Sequence, residues 1–210
     1  MHIHQGELYI GGDIQSINHG GGATATGDVA RWDGAQWHQL DVAGGIGLTQ
    51  PGFAPFVSVN ALLLQDGQLY AGGHFSVAGE GTSQLTQLRN LARWDGQRWH
   101  PVGDAATNGP NAEVFSLAEF NGQLAVGGVF VEITQSGVPS INARGIALWD
   151  GSNWSALGTG VRSGRFPHVR TLLADGDAGL YVGGQFGQAG PHHASNLGIL
   201  EQVLFSSGFE

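Results

Sequence analysis

A short apolar stretch ending in Gly-Gly occurs four times in this 210-residue chain, the pairs beginning at Gly11, Gly72, Gly127 and Gly183. Three of these stretches are followed by Trp-Asp-Gly-x-x-Trp. The pairs Trp32/Trp37, Trp94/Trp99 and Trp149/Trp154 use every tryptophan present. A unit recurring every 55 to 61 residues cannot bury its apolar face alone and must stack on its neighbours. The repeat therefore constrains the fold more than any single motif does.

The third repeat shows what the unit contains. Val114 to Phe120 predicts a first strand. Asn121-Gly122 predicts a two-residue hairpin turn, because both of its positions require positive φ. A second strand follows over Gln123 to Gly128, then a long connection from Val129 to Arg144. Gly145 to Trp149 is a third strand, Asp150-Gly151 opens another turn, and Trp154 to Leu157 is the fourth. Val59, Val114 and Val169 keep step at intervals of 55, as do Leu62, Leu117 and Leu172. Four short antiparallel strands per repeat predict an all-β fold, a β-propeller of four-stranded blades. About four blades are expected, the first and last incomplete. The reading is one domain over 1–202, with repeats at about 1–56, 57–111, 112–166 and 167–202, and a C-terminal tail over 203–210.

The ends depart from the pattern. Aligning Gly6 with Gly67 places Met1 inside a first strand. In the fourth repeat Asn196 to Glu201 replaces Asn-Leu-Ala-Arg-Trp-Asp, and no second Trp follows. Two arrangements fit: a compact four-bladed ring, slightly favoured, or an open arc that a longer chain or a second copy completes. Self-association through the incomplete terminal blades is an expected consequence, since unpaired strand edges invite it. The paired indoles are expected to pack between blades, with a carbohydrate platform as their lesser reading. The twin glycines are expected to admit something bulky, such as a neighbouring blade's ring, close to the second strand.

Leu69-Tyr70-Ala71-Gly72-Gly73-His74-Phe75 with Ala92-Arg93-Trp94-Asp95-Gly96, and Leu180-Tyr181-Val182-Gly183-Gly184-Gln185-Phe186 in the last repeat, resemble kelch-type propeller repeats. They look most like those of exported bacterial repeat proteins and of fungal Rax2-like cortical polarity markers. The ending Phe205-Ser206-Ser207-Gly208-Phe209-Glu210 is similar to a tail found on exported proteins of some gammaproteobacteria. The resemblance implies a secreted or cell-surface protein, although no leader pattern follows Met1. Its implication for function is weak, because propellers serve many unrelated roles. It is not a WD40 array, whose repeats run to roughly 40–45 residues.

Composition narrows the partners. Net charge is −9 and all eight basic residues are arginine, which argues against a nucleic-acid protein with a basic stripe. No apolar run approaches the roughly 18–20 residues of a membrane span, so no membrane insertion is expected. Cysteine is absent, removing thiolate chemistry, a disulfide framework and the cysteine–tyrosine cofactor of the copper oxidase found among kelch-type proteins. Neither Gly-x-Ser-x-Gly nor His-Glu-x-x-His occurs.

Short turns fall on one face of the predicted unit and long connections on the other, so a ligand site is expected on the long-loop face. The binding candidates from the connections within a repeat are Asp13, His19, His74, Glu80, Glu132, Gln185, His192 and His193. Those between repeats are Asp41, Phe53, Phe56, Asp104, Asn108, Arg162, Arg165 and His168. No cofactor or metal is expected. Asp175 and Asp177 open like a calcium loop but lack its later acidic ligand, and His192-His193 or His2 with His4 lack a carboxylate at ligand spacing. Asp33, Asp95 and Asp150 recur by symmetry and read as turn formers. The expected function is a non-enzymatic binding or scaffold module for a protein or glycan. A carbohydrate-active enzyme using Glu80, Glu132 and His168 is the alternative, and a purely structural segment of a larger surface protein is a third.

Overall fold

The computed structural model describes residues 1–4, 6–14, 16–18, 23–40, 45–51, 57–83, 86–103, 108–162, 166–176 and 179–200, with only the backbone at 23–25 and 80. His19, Asp41, Phe53, Phe56, Asp104, Arg165, Asp177, the Glu80 side chain and the tail at 203–210 lie outside that description.

Each repeat forms an antiparallel sheet whose strands follow chain order. The first sheet holds His2–His4, Glu7–Gly11, Val29–Trp32 and Trp37–Gln39. The second holds Ser58–Gln65, Gln68–His74, Leu91–Trp94 and Trp99–Pro101. The third holds Val114–Phe120, Gln123–Gly128, Ile146–Trp149 and Trp154–Ala156. The fourth has three strands, His168–Ala174, Leu180–Gln185 and Leu197–Leu200.

The turns follow their chemistry. Asp66 and Gly67 sit at φ 52° and 74°, and Asn121 and Gly122 at 52° and 73°, the pair of positive angles a two-residue hairpin demands. At the outer turns Asp95 Oδ1 accepts from the backbone N–H of Gln97 and Arg98, both at 2.9 Å. Asp33 and Asp150 do the same in their repeats. These three carboxylates are turn formers. They also put the tryptophans opposite one another in register, with ring centroids 5.4, 5.3 and 5.2 Å apart.

The apolar core is divided among the three interfaces between successive sheets. Twin glycines organise each interface, and the two members have different duties. A Cβ on Gly11 or Gly127 would stand 2.7 or 2.6 Å from Val59 Cγ1 or Val169 Cγ1 of the next sheet. One on Gly72 would come closer still to Val114. The second glycine, at Gly73, Gly128 and Gly184, faces the backbone carbonyl of Ser58, Glu113 and His168 in its own sheet. The expected bulky neighbour is thus a valine, backed by Leu62, Leu117 or Leu172, and not an aromatic ring. A β-branched side chain fits the space that a missing Cβ leaves between two sheets.

A second correction concerns the long connections. They carry strands of their own, which pair across repeats into smaller sheets. Ile46–Thr49 joins Val77–Glu80 and Thr86–Gln87; Gly109–Pro110 joins Glu132–Thr134 and Ile141–Asn142; Val161–Arg162 joins Gln188–Ala189 and His192–His193. Strands of two to four residues, paired with a segment far away in sequence, leave no periodic pattern to read. Phe75, Phe130 and Phe186, the aromatic that follows Gly-Gly-x in the last three repeats, are buried among the core residues of these interfaces.

The first strand of each sheet packs on the sheet before it, Ser58–Gln65 on Glu7–Gly11, Val114–Phe120 on Ser58–Gln65 and His168–Ala174 on Val114–Phe120. Among the described strands no such packing joins the fourth sheet to the first, so the sheets form an open row, not the closed ring the sequence slightly favoured. No described helix is long and apolar enough to cross a membrane.

Candidate functional site

Three first strands break their alternation at the same point. Their register shifts between Val59 and Ala61, Val114 and Ser116, and Val169 and Thr171. The leftover residue of each bulge is Asn60, Phe115 or Arg170, and a bulge re-aims a side chain out of the pleat. Two of the three reach the next first strand. Asn60 Nδ2 donates to Glu113 Oε1 at 2.9 Å and to the Val114 carbonyl at 2.8 Å. Phe115 meets the His168 ring edge-on at 6.1 Å and carries the Arg170 guanidinium 4.6 Å above its face.

His168 is held at that contact. Arg170 Nε donates to His168 Nε2 at 3.1 Å, and a guanidinium can only donate, so Nε2 accepts. Nδ1 then carries the hydrogen, which it donates to the Phe166 carbonyl at 2.9 Å. His168 is 8% exposed, with both nitrogens engaged within its own segment and its ring against Phe115 of the preceding sheet.

On the long-loop side a cleft of about 470 Å³ opens between the second and third repeats. His74, Arg89, Asn90, Asn111 and Glu113 are among its polar lining residues, with Phe75, Leu88 and Val129 among the apolar ones. His74 ends the second strand of its sheet, and Asn90 sits at φ 58° where the third strand begins. Asn111 Oδ1 accepts from the N–H of Val131 and Glu132, fixing the cleft's far wall. Glu113 is the one carboxylate among the described lining residues. The wall therefore presents amide, imidazole, guanidinium and carboxylate groups, a mixture suited to hydrogen-bonding a polar ligand without the paired acids that glycoside hydrolysis uses.

Among the described residues the sequence-predicted candidates are spread over several places. His74 lines the cleft, and Glu132 is exposed beside it on Glu132–Thr134. Gln185 is the cross-strand partner of His168. Arg162, His192 and His193 belong to the small sheet of the fourth repeat, with Arg162 Nε donating to the Thr159 carbonyl at 3.3 Å. Asn108 is buried, its Oδ1 accepting from Ser136 N–H at 2.7 Å. Asp13 is exposed, and its charge helps raise the pKa of Asp28. Among the described residues no three His, Asp or Glu side chains gather as a metal site would require.

Sequence reasoning missed Asn60, Asn111, Glu113, Phe115 and Arg170. A signal for the bulges was present: two core residues three apart in one strand, Val59 and Leu62, cannot share a face unless the strand carries an extra residue.

No family model matches the chain. Over 105 residues, 46% of the chain, the sequence is 36% identical to polarized growth protein L1 of a Phoma species. That match covers 8% of the relative, so the chain spans a small part of its length. The chain is similar to a stretch of a polarized growth protein and folds as a row of antiparallel sheets.

Proposed function

We propose that the chain is a kelch-like, propeller-type binding or scaffold module that recognises a protein or glycan partner through its long-loop face, at the cell surface. The observation that carries this reading is the 470 Å³ cleft lined by His74, Arg89, Asn111 and Glu113. It lies on short strands and connections supported by rigid sheets, the arrangement in which binding residues are most often found. Similarity to a polarized growth protein is compatible with a place at the cell periphery.

A glycan array and a cross-linked pull-down from intact cells, both using the whole chain, test the proposal. Saturable binding is expected, weakened at least about tenfold, or roughly 1.4 kcal/mol, by His74→Ala with Arg89→Ala. Asn121→Asp in the opposite-face turn should leave it unchanged. Binding that ignores the first pair, or no saturable binding in either assay, overturns the proposal.

A further inference from the structure

The other face of the molecule repeats a feature that packing alone does not require. Between the first and second sheets a groove of about 310 Å³ is lined by Tyr9 and Arg31 on one wall and Trp94 on the other. Between the second and third a groove of about 650 Å³ is lined by Tyr70 and Arg93 opposite Trp149. These are the same positions of successive repeats. Tyr9 pairs with Arg31, and Tyr70 with Arg93, in the same cross-strand register. Both grooves open beside the short turns, at Gly67 and Gly96 in one, at Asp66 and Gly151 in the other.

The third interface shows what the fold does when nothing needs to be admitted. Ala125 and Leu148 occupy the Tyr and Arg positions and are 0% and 2% exposed, and Leu200, at 5%, takes the place of the tryptophan. Core fills the level of Ala125 and Leu148, and the cavity at this interface, of about 630 Å³, lies beside it against Leu157, Gly158 and Leu200 with no arginine in its lining. The Arg position also leaves a trace: Gln123, the counterpart of Gln68, has a buried Oε1 without a partner, whereas Gln68 Oε1 accepts from Arg93 at 2.9 Å. Small and aliphatic residues therefore close this level of the interface, and Tyr with Arg holds it open.

The two open grooves are not equal. In the first, the Glu7 carboxylate pairs with Arg31 and accepts the Tyr9 hydroxyl at 2.8 Å, so the polar wall is satisfied internally. In the second, the equivalent residue is the neutral Gln68, which engages one nitrogen of Arg93. A guanidinium carries five N–H donors. Asp66 and Ser152 add an acceptor and a hydroxyl at the rim. Trp149 is half-buried, while its tilted ring neighbour Trp154 does the packing at 5% exposure.

We propose that the groove between Tyr70, Arg93 and Trp149 binds a neutral oligosaccharide. A pyranose ring has an apolar C–H face that suits an indole, and hydroxyls that donate to Asp66 and accept from Arg93. An anion would meet Asp66 and a chain of net charge −9; a cation would meet Arg93. The volume falls within the roughly 300–1,000 Å³ of ordinary ligand sites. This site lies on the opposite face from the long-loop cleft and does not depend on it.

The test uses substitutions the fold already accepts one repeat later, Tyr70→Ala with Arg93→Leu. The whole chain is titrated with laminari-, cello- and chitohexaose, followed by tryptophan fluorescence and by calorimetry. Saturable binding of at least one hexaose is expected, weakened at least about tenfold in the double variant, with Tyr9→Ala/Arg31→Leu close to the parent. Should the double variant not fold, the Trp149 indole N–H resonance of the parent must shift on titration. No binding of the three sugars, binding indifferent to Tyr70 and Arg93, a Trp149 resonance that stays put, or capture of anionic or peptide probes alone would each overturn the proposal.

Discussion

Gly72 lies so close to Val114 across the second interface that no side chain would fit between them. The valine is fully buried and belongs to the core cluster between the second and third sheets, so it cannot retreat cheaply. Gly72→Ala should therefore destabilise the chain by about 1–3 kcal/mol, the usual cost of overpacking a close-packed core. Combining it with Val114→Ala should cost less than the two single changes added together. Urea denaturation of the double-mutant cycle measures this coupling, and strict additivity would mean that the contact is not what fixes the glycine.

Two tryptophans in equivalent places differ by one hydrogen bond. Trp99 Nε1 donates to the Leu40 carbonyl of the preceding sheet at 2.8 Å, whereas Trp154 Nε1 is buried with no protein partner. Phenylalanine removes the N–H from either ring, but only at Trp99 does it orphan a buried carbonyl. Trp99→Phe should cost about 1 kcal/mol more than Trp154→Phe, the scale of a net hydrogen bond. Equal losses in thermal or urea unfolding would show that ring volume, not the bond, sets the cost.

These contrasts also show what the sequence could and could not convey. The inner turns, the Val114–Phe120 and Gln123–Gly128 strands and the indole pairs were legible because each rests on local chemistry: Asn-Gly and Asp-Gly turns, apolar runs, a four-residue connection. The small sheets were not, because Gly109–Pro110 becomes a strand only by pairing with Glu132–Thr134 over twenty residues away. Residue type alone could not tell that the glycine pair seats Val59, Val114 and Val169, since a missing Cβ specifies a space and not its occupant. His74, read from its place in a long connection, lines the cleft. Glu113 and Asn111 were overlooked because cleft walls are assembled from two repeats at once.

The outer turns should set the acid limb of stability. His38 and the backbone N–H groups of Gln36 and Ala35 hold the Asp33 carboxyl well below the usual range. At Asp95 desolvation pushes upward, but N–H donation from Arg98 and Gln97, with His100, prevails and brings the pKa to about 2. Asn153 and Ser152 lower Asp150. Groups depressed in the native state stabilise it above their unfolded pKa of about 3.9 and lose that contribution as pH falls through the native value. The melting temperature should thus drop between about pH 4 and pH 2. Converting all three to Asn, which keeps the accepting oxygen, should flatten that limb. An unchanged acid limb would place the acid sensitivity elsewhere.

Asp28 works in the opposite direction and in an adjacent window. It opens the third strand of the first sheet at φ 67°, where the other repeats place Asn90, Gly145 and Asn196 at 58°, 84° and 68°. Burial pushes its carboxyl up to about 6, against the hydrogen bond it accepts from Ile14 N–H at 2.8 Å, and the charge of Asp13 pushes the same way. Between about pH 4 and pH 6 the native chain keeps a proton that the unfolded chain has released. Stability therefore falls as pH rises through that window and stays reduced above it. Asn tolerates the left-handed angle and its oxygen can still accept from Ile14, as Asn196 Oδ1 does from Phe186 N–H at 3.4 Å. Asp28→Asn should stabilise the chain at pH 7 by on the order of 2 kcal/mol and leave it unchanged at pH 4. Unfolding free energies at the two pH values decide the matter: an equal effect at both would mean that the carboxylate's charge is not the source of the penalty.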